Sequence, residues 1–170
     1  MSSRNMKYLA AAIVAGMIGS SETAWAAGTH AVSVSASVNQ VCQIIDATST
    51  LGFGALDPAA GGAVAAVWSG GSFRCTKGST FTVTSDDGLW ESAAGGASNR
   101  MRLTGAVGVG CANAYECIRY TLTKVATGTG TGHGAGNNLS FAVTGATALV
   151  DYTNANFGSY TDTVTLTVAP

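Results

Sequence analysis

Charge is scarce in this chain: 8 Lys and Arg stand against 9 Asp and Glu in 170 residues, for a formal net charge of −1. There is no basic cluster, which argues against nucleic acid or an anionic membrane surface as partner. Histidine is scarcer still. His30 and His133 are the only two, and neither has a His-x-x-x-His partner or a carboxylate cluster beside it. Neither is therefore read as a metal ligand or a catalytic base. No G-x-S-x-G elbow nominates a nucleophile. The glycine-rich "TGTGTGHGAG" lacks the Lys-Ser/Thr of a phosphate loop and any helix to follow it. Asp86-Asp87-Gly88 lacks the repeated acidic ligands of a calcium loop and reads as an Asx turn. The expectation is a protein that is not an enzyme and carries no cofactor or metal.

Long apolar runs are also missing, with one exception. "YLAAAIVAGMI" (residues 8–18) follows Arg4 and Lys7 and precedes the small residues of "AWAA". This is the layout of a signal peptide spanning residues 1–26, with cleavage before Ala27. The run is too short for a comfortable transmembrane helix, and no second one follows, so the mature chain is expected to be exported without membrane insertion. Removing the leader takes away Arg4, Lys7 and Glu22 and leaves six basic and eight acidic side chains. About 144 residues remain, enough for one domain with a sizeable core.

What is present is a set of alternating strands and four cysteines. Cys42, Cys75, Cys111 and Cys117 form an even set in an exported chain, which favours disulfides. Spacing alone leaves three connectivities. Cys42–Cys75 with Cys111–Cys117 is favoured, the latter closing the loop "CANAYEC". A zinc site is the weaker alternative, because there is no C-x-x-C pair and both histidines are distant in sequence.

"VCQIID" (residues 41–46) reads as a short strand, and "LGFGALDP" (51–58) as a kinked edge segment and turn. Residues 63–76 read as one long strand, bulged at Gly70-Gly71. "STFTVTS" (79–85) alternates strictly and is expected to pair with it as a hairpin across Lys77-Gly78. Residues 86–99 read as a loop, "RMRLTG" and "CIRYTLTKV" as strands, and residues 127–137 as low complexity too flexible for a strand. "LSFAVTG" (139–145) and a final segment marked by Tyr160, Val164, Leu166 and Val168 complete the set. With no helical periodicity, the expected fold is all-β: an antiparallel sandwich of immunoglobulin-like type.

The two ends of this expected sandwich do not match. In "HAVSVSASV" (30–38), Val32, Val34, Ala36 and Val38 fall on one side of an extended chain and serines on the other. At the other end only Ala169 and Pro170 follow Val168, which leaves no residues for a seventh strand. The reading is an incomplete sandwich lacking its last strand, with a surplus strand at its beginning; such an edge would carry unpaired backbone groups and uncovered core side chains.

Four stretches together resemble the spore coat protein U-like family, which includes subunits of archaic chaperone–usher pili. They are "VSVSASVNQVC", "LGFGALDP", "FRCTKGSTFTVTSDDG" and "FGSYTDTVTLTV", with "NRMRLTG" in the middle also similar. The likeness covers about residues 30–168 and is weakest between residues 111 and 145. It implies donor-strand complementation, a form of β-augmentation. Residues 27–39 would be the donor extension, with Val32, Val34, Ala36 and Val38 as donor side chains. Residues 40–170 would be the acceptor domain, with Val164, Leu166 and Val168 on its last strand and Cys42–Cys75 pinning its sheets together. The implied partners are further pilin subunits joined head to tail, a periplasmic chaperone and an outer-membrane usher. The implied location is the periplasm during assembly and then the cell surface, and the implied roles are adhesion and biofilm formation. Two other readings compete: a self-contained secreted coat or matrix protein, and a carbohydrate-binding module using Trp90. Trp68, on a strand, is expected in the core.

Overall fold

The computed structural model describes residues 28–90, 99–108, 110–111 and 113–170. The expected leader, residues 1–26, lies outside these, as does the part of the expected loop from 91 to 98. The chain divides into two units, Met1–Ala36 and Ser37–Pro170. In the first unit, residues 28–36 have no regular secondary structure and every one is exposed. The alternation that reads as a strand there is not paired, because a strand exists only where a second one takes up its N–H and C=O groups.

The regular secondary structure of the second unit is nearly all strand. In order come β1 (Cys42–Ile44), β2 (Leu51–Gly52), β3 (Val64–Ala65), β4 (Val67–Trp68), β5 (Ser72–Cys75), β6 (Thr80–Ser85), β7 (Asn99–Leu103), β8 (Cys117–Thr123), β9 (Thr127–Thr129), β10 (Leu139–Ser140), β11 (Thr144–Thr147), β12 (Tyr160–Thr161) and β13 (Leu166–Ala169). A 3-10 turn covers Ala114–Glu116, and a one-turn helix α1 covers Leu149–Tyr152. The sheets run β1-β5-β10, β12-β7-β8-β11-β3, β13-β6-β9 and β2-β4. Pairing between described strands is antiparallel throughout. The fold is an all-β antiparallel sandwich, as the alternating runs predict.

Its main core lies between the β1-β5-β10 and β13-β6-β9 sheets. Phe73, Cys75, Phe81, Val83, Phe141 and Val143 are buried there, with Cys42, Leu51, Trp68, Leu122, Leu166 and Val168 packed around them. Phe73 of β5 meets Phe81 of β6 edge to face, with centroids 5.0 Å apart, a favoured aromatic geometry. That contact corrects the expected β5–β6 hairpin. The turn at Lys77-Gly78 carries the chain from one sheet to the other, so that both apolar faces reach one core from opposite sides. Side-by-side pairing would have put both strands in one layer.

Other expected strands are subdivided. Residues 63–76 form β3, β4 and β5 in three different sheets rather than one bulged strand. Gly70, at φ 99°, redirects the chain in a conformation that glycine adopts without strain. Residues 139–145 split into β10 and β11 around Ala142, which has a φ of 48°. The final segment splits into β12 and β13 on either side of Asp162. The glycine-rich stretch is also more ordered than its composition suggests. Thr127–Thr129 is β9, paired with β6. A Cβ on Gly128 would lie 2.5 Å from Phe81 Cζ, and one on Gly130 would lie 2.7 Å from the Cys75 carbonyl oxygen. These glycines permit close approach.

Candidate strand-docking groove

Two segments of the second unit run side by side without pairing. One, residues 49–58, contains β2; the other, residues 155–166, contains β12 and leads into β13. Among the described residues no strand pairing and no backbone hydrogen bond joins them. Between them lie two cavities of about 720 Å³ and about 350 Å³, which share Leu51, Phe53, Met101 and Tyr160 and so form one groove. Its floor is the apolar face of the β7-β8 region, with Met101, Ile118, Tyr120 and Leu122.

The walls carry a strict alternation. Leu51 and Phe53 are half-buried, with exposed Gly52 and Gly54 between and after them. On the other wall Tyr160, Asp162, Val164, Leu166 and Val168 are half-buried, and Thr161, Thr163, Thr165 and Thr167 are exposed. Among the described strands this wall is paired on one edge only, by β7 at Tyr160 and Thr161 and by β6 from Leu166 to Ala169, and its core-facing row stays half-exposed toward the groove. Phe157, at the mouth of the larger cavity, is fully open to solvent at 103% relative exposure.

Asp162 is the one charged side chain in this row. Its carboxylate accepts from the Tyr120 hydroxyl at 2.7 Å, from the Leu89 N–H at 2.9 Å and from its neighbour Thr163 N–H at 2.8 Å. Gly88 packs directly on it; a Cβ at that glycine would fall within 2.8 Å of the carboxyl carbon. Asp86 continues the clasp, accepting from the Gly88 and Thr165 N–H groups at 3.1 and 2.8 Å. Burial pushes the Asp86 carboxyl up, but the bonds from Thr165 and Gly88 outweigh it and hold the group below the usual carboxylate range. For Tyr120, burial acts first and the Asp162 carboxylate second, and both raise the hydroxyl well above the ordinary tyrosine range. Across the groove, the Tyr120 ring sits edge-on to Phe53, with centroids 5.6 Å apart.

Both expected disulfides are formed, Cys42–Cys75 and Cys111–Cys117. The first does not pin two sheets together as expected. Cys42 and Cys75 face each other in register on the neighbouring strands β1 and β5. Just before β1, the Thr76 hydroxyl accepts from the Val41 N–H at 3.0 Å and contacts the Asn39 carbonyl at 3.1 Å. The chain is therefore tied down from Asn39 onward. Val38 is 84% exposed, and in the first unit Val32 and Val34 are 73% and 88% exposed. Of the expected last-strand residues, Val164 and Leu166 line the smaller cavity, while Val168 packs against the main core.

The other expected features resolve plainly. Trp68 packs on the core, and its Nε1 donates to the Ser49 hydroxyl at 3.1 Å. Trp90 lies against the Arg102 guanidinium, whose Cζ is 5.0 Å from the ring centroid, so one ring face is already occupied. The His133 ring contacts the Val41 carbonyl at 3.3 Å. Among the described residues no group of three or more metal-ligating side chains converges, and no helix is long and apolar enough to cross a membrane.

Sequence reasoning missed most of the groove. Leu51 and Phe53 lie in a segment that reads as an edge and a turn, although their period-two spacing with glycines between and after them already marks a half-buried face. Met101, Ile118 and Tyr120 read in the sequence simply as strand residues. No curated protein matches the chain. The Spore Coat Protein U domain family matches residues 28–167, a span that takes in the exposed valines and both walls of the groove, and the chain belongs to that family.

Proposed function

We propose that the chain is a structural, non-enzymatic subunit of a chaperone–usher surface pilus, assembled by donor-strand exchange and supporting adhesion and biofilm formation. One observation carries this reading. The alternating half-buried row from Tyr160 to Leu166 borders an open apolar groove, and the same chain offers an exposed alternating segment from Val32 to Val38. At about 3.3 Å per residue both rows span about 20 Å. Residues 27–39 act as donor and residues 40–170 as an immunoglobulin-like acceptor. The groove is covered first by a periplasmic chaperone strand and then, at an outer-membrane usher, by the next subunit's extension. A head-to-tail contact that does not close into a ring grows into a fibre. The chain is exported by its leader and ends at the cell surface.

The test is Val34→Asp. A carboxylate placed in the apolar groove has no partner there, and desolvating it costs several kcal/mol. The variant is expected to bind its chaperone and to form no SDS-resistant ladder. Normal polymerisation of this variant would sink the donor assignment. Wild-type mature chain that stays monomeric in the presence of chaperone and usher would point instead to a self-contained coat or matrix protein.

A further inference from the structure

We propose that the Tyr120–Asp162 pair sets the register of the docked strand: Ala36 of an incoming copy faces Asp162, and that copy's segment runs antiparallel to residues 160–166. This rests on the donor-strand reading above and adds to it a residue-by-residue alignment.

The argument starts from the one irregularity in each row. The wall row reads Tyr160, Asp162, Val164, Leu166, and its second member is a carboxylate among apolar side chains. The arm row reads Val32, Val34, Ala36, Val38, and its third member is the only small residue. Antiparallel alignment matches the two irregularities and all the remaining positions together. Val38 then faces Tyr160, Ala36 faces Asp162, Val34 faces Val164 and Val32 faces Leu166. Parallel alignment over the same span puts Val34 on Asp162 and leaves Ala36 in the apolar place opposite Val164. A parallel alignment shifted by two residues keeps Ala36 on Asp162 but lays Gln40 on Leu166 and carries Val32 past Tyr160.

The chemistry favours the first alignment. The Asp162 carboxylate is already met by the Tyr120 hydroxyl and two backbone N–H groups, so a strand can cover it without leaving the charge bare. Alanine covers it with one methyl. Valine at that point brings two more carbons against a carboxylate held in place by three bonds, and it must either displace the Tyr120 bond or hold the strands apart. At the three apolar positions valine buries more surface than alanine. The pair therefore works as a register stop, admitting a small side chain at one position only.

The experiment uses the full chain, with its chaperone and usher, in oxidising medium. Fibres of the double variant Val34→Cys/Val164→Cys are expected to yield covalently linked subunits that separate only on reduction, since directly opposed residues on neighbouring strands lie within disulfide reach. Fibres of Ala36→Cys/Val164→Cys and Val38→Cys/Val164→Cys are expected to yield none. Linkage in either of those, or in none of the three while ladders form, overturns the register. Ala36→Val supplies the second arm and needs no new cysteine. It is expected to slow ladder growth at least about tenfold, whereas growth at the wild-type rate or faster overturns the proposal. All of these outcomes are separable from failure of the donor reading itself, which is marked by Val34→Asp fibres growing normally.

Discussion

The Tyr120 hydroxyl donates to the Asp162 carboxylate at 2.7 Å, tying the floor of the groove to its wall. The bond joins β8 to the break between β12 and β13, so its loss should loosen the groove between them. Tyr120→Phe is expected to cost about 1.5–3 kcal/mol, the range for a hydrogen bond to a charged group. The pH dependence has a definite sign. Burial and then Asp162 raise the folded-state pKa of Tyr120 above its unfolded value, so this contribution to stability is complete below about pH 10 and declines as pH rises further. Urea unfolding of wild type should weaken steeply above about pH 10. The Phe variant should show a shallower decline; the part that remains includes Tyr160, which burial and the Glu116 charge raise in the same direction. Identical alkaline slopes would remove Tyr120 from the account.

Gly128 and Gly130 offer a graded steric test. At Gly128 an added methyl meets the Phe81 ring, which can shift, and Gly128→Ala should cost about 1–3 kcal/mol. At Gly130 the methyl meets the Cys75 carbonyl. The Gly130 backbone is itself fixed by bonds to the Ser79 carbonyl and the Gly78 N–H at 2.7 and 2.9 Å. Gly130→Ala should therefore destabilise more than Gly128→Ala in thermal unfolding. Equal midpoints would show that the stretch is as loose as its composition suggests.

Trp90 separates packing from glycan recognition. With Arg102 against its ring, Trp90→Ala should lower stability by about 0.5–2 kcal/mol through lost cation–π contact. It should leave retention on polysaccharide columns unchanged. Unaltered stability together with lost retention would instead support a sugar-binding role.

How much of this was legible beforehand depends on the range of the information. Period-two alternation locates β6 and β8, because each buries one face and exposes the other. Met101 and Leu103 alternate with arginines in β7 in the same way, but no residue of that strand is exposed and the buried one is Arg102. The cysteines were readable as a pair of bridges, but not the layer in which Cys42 and Cys75 lie, since in-register neighbours and sheet-to-sheet partners have the same spacing in sequence. Lys77-Gly78 looks like any hairpin turn, and only the meeting of Phe73 with Phe81 shows that the chain changes sheets there. The groove was the least visible feature. Leu51, Met101, Tyr120 and Tyr160 come from four distant stretches and are joined only by the fold, whereas the alternation of Val32 to Val38 is written locally and could be read at once.

Tension has a defined route into this domain. A pull on the amino-terminal segment arrives at β1, a three-residue strand at the margin of its sheet. Hydrogen bonds loaded from one end of so short a strand would unzip in sequence. The first residue of β1 is Cys42, however, and its bridge hands the force straight to Cys75 on β5, the middle strand of that sheet. Subunits strung together through that segment would therefore meet traction with a covalent rivet at every entry point, and a reducing environment would weaken the string mechanically before it unfolded any single bead.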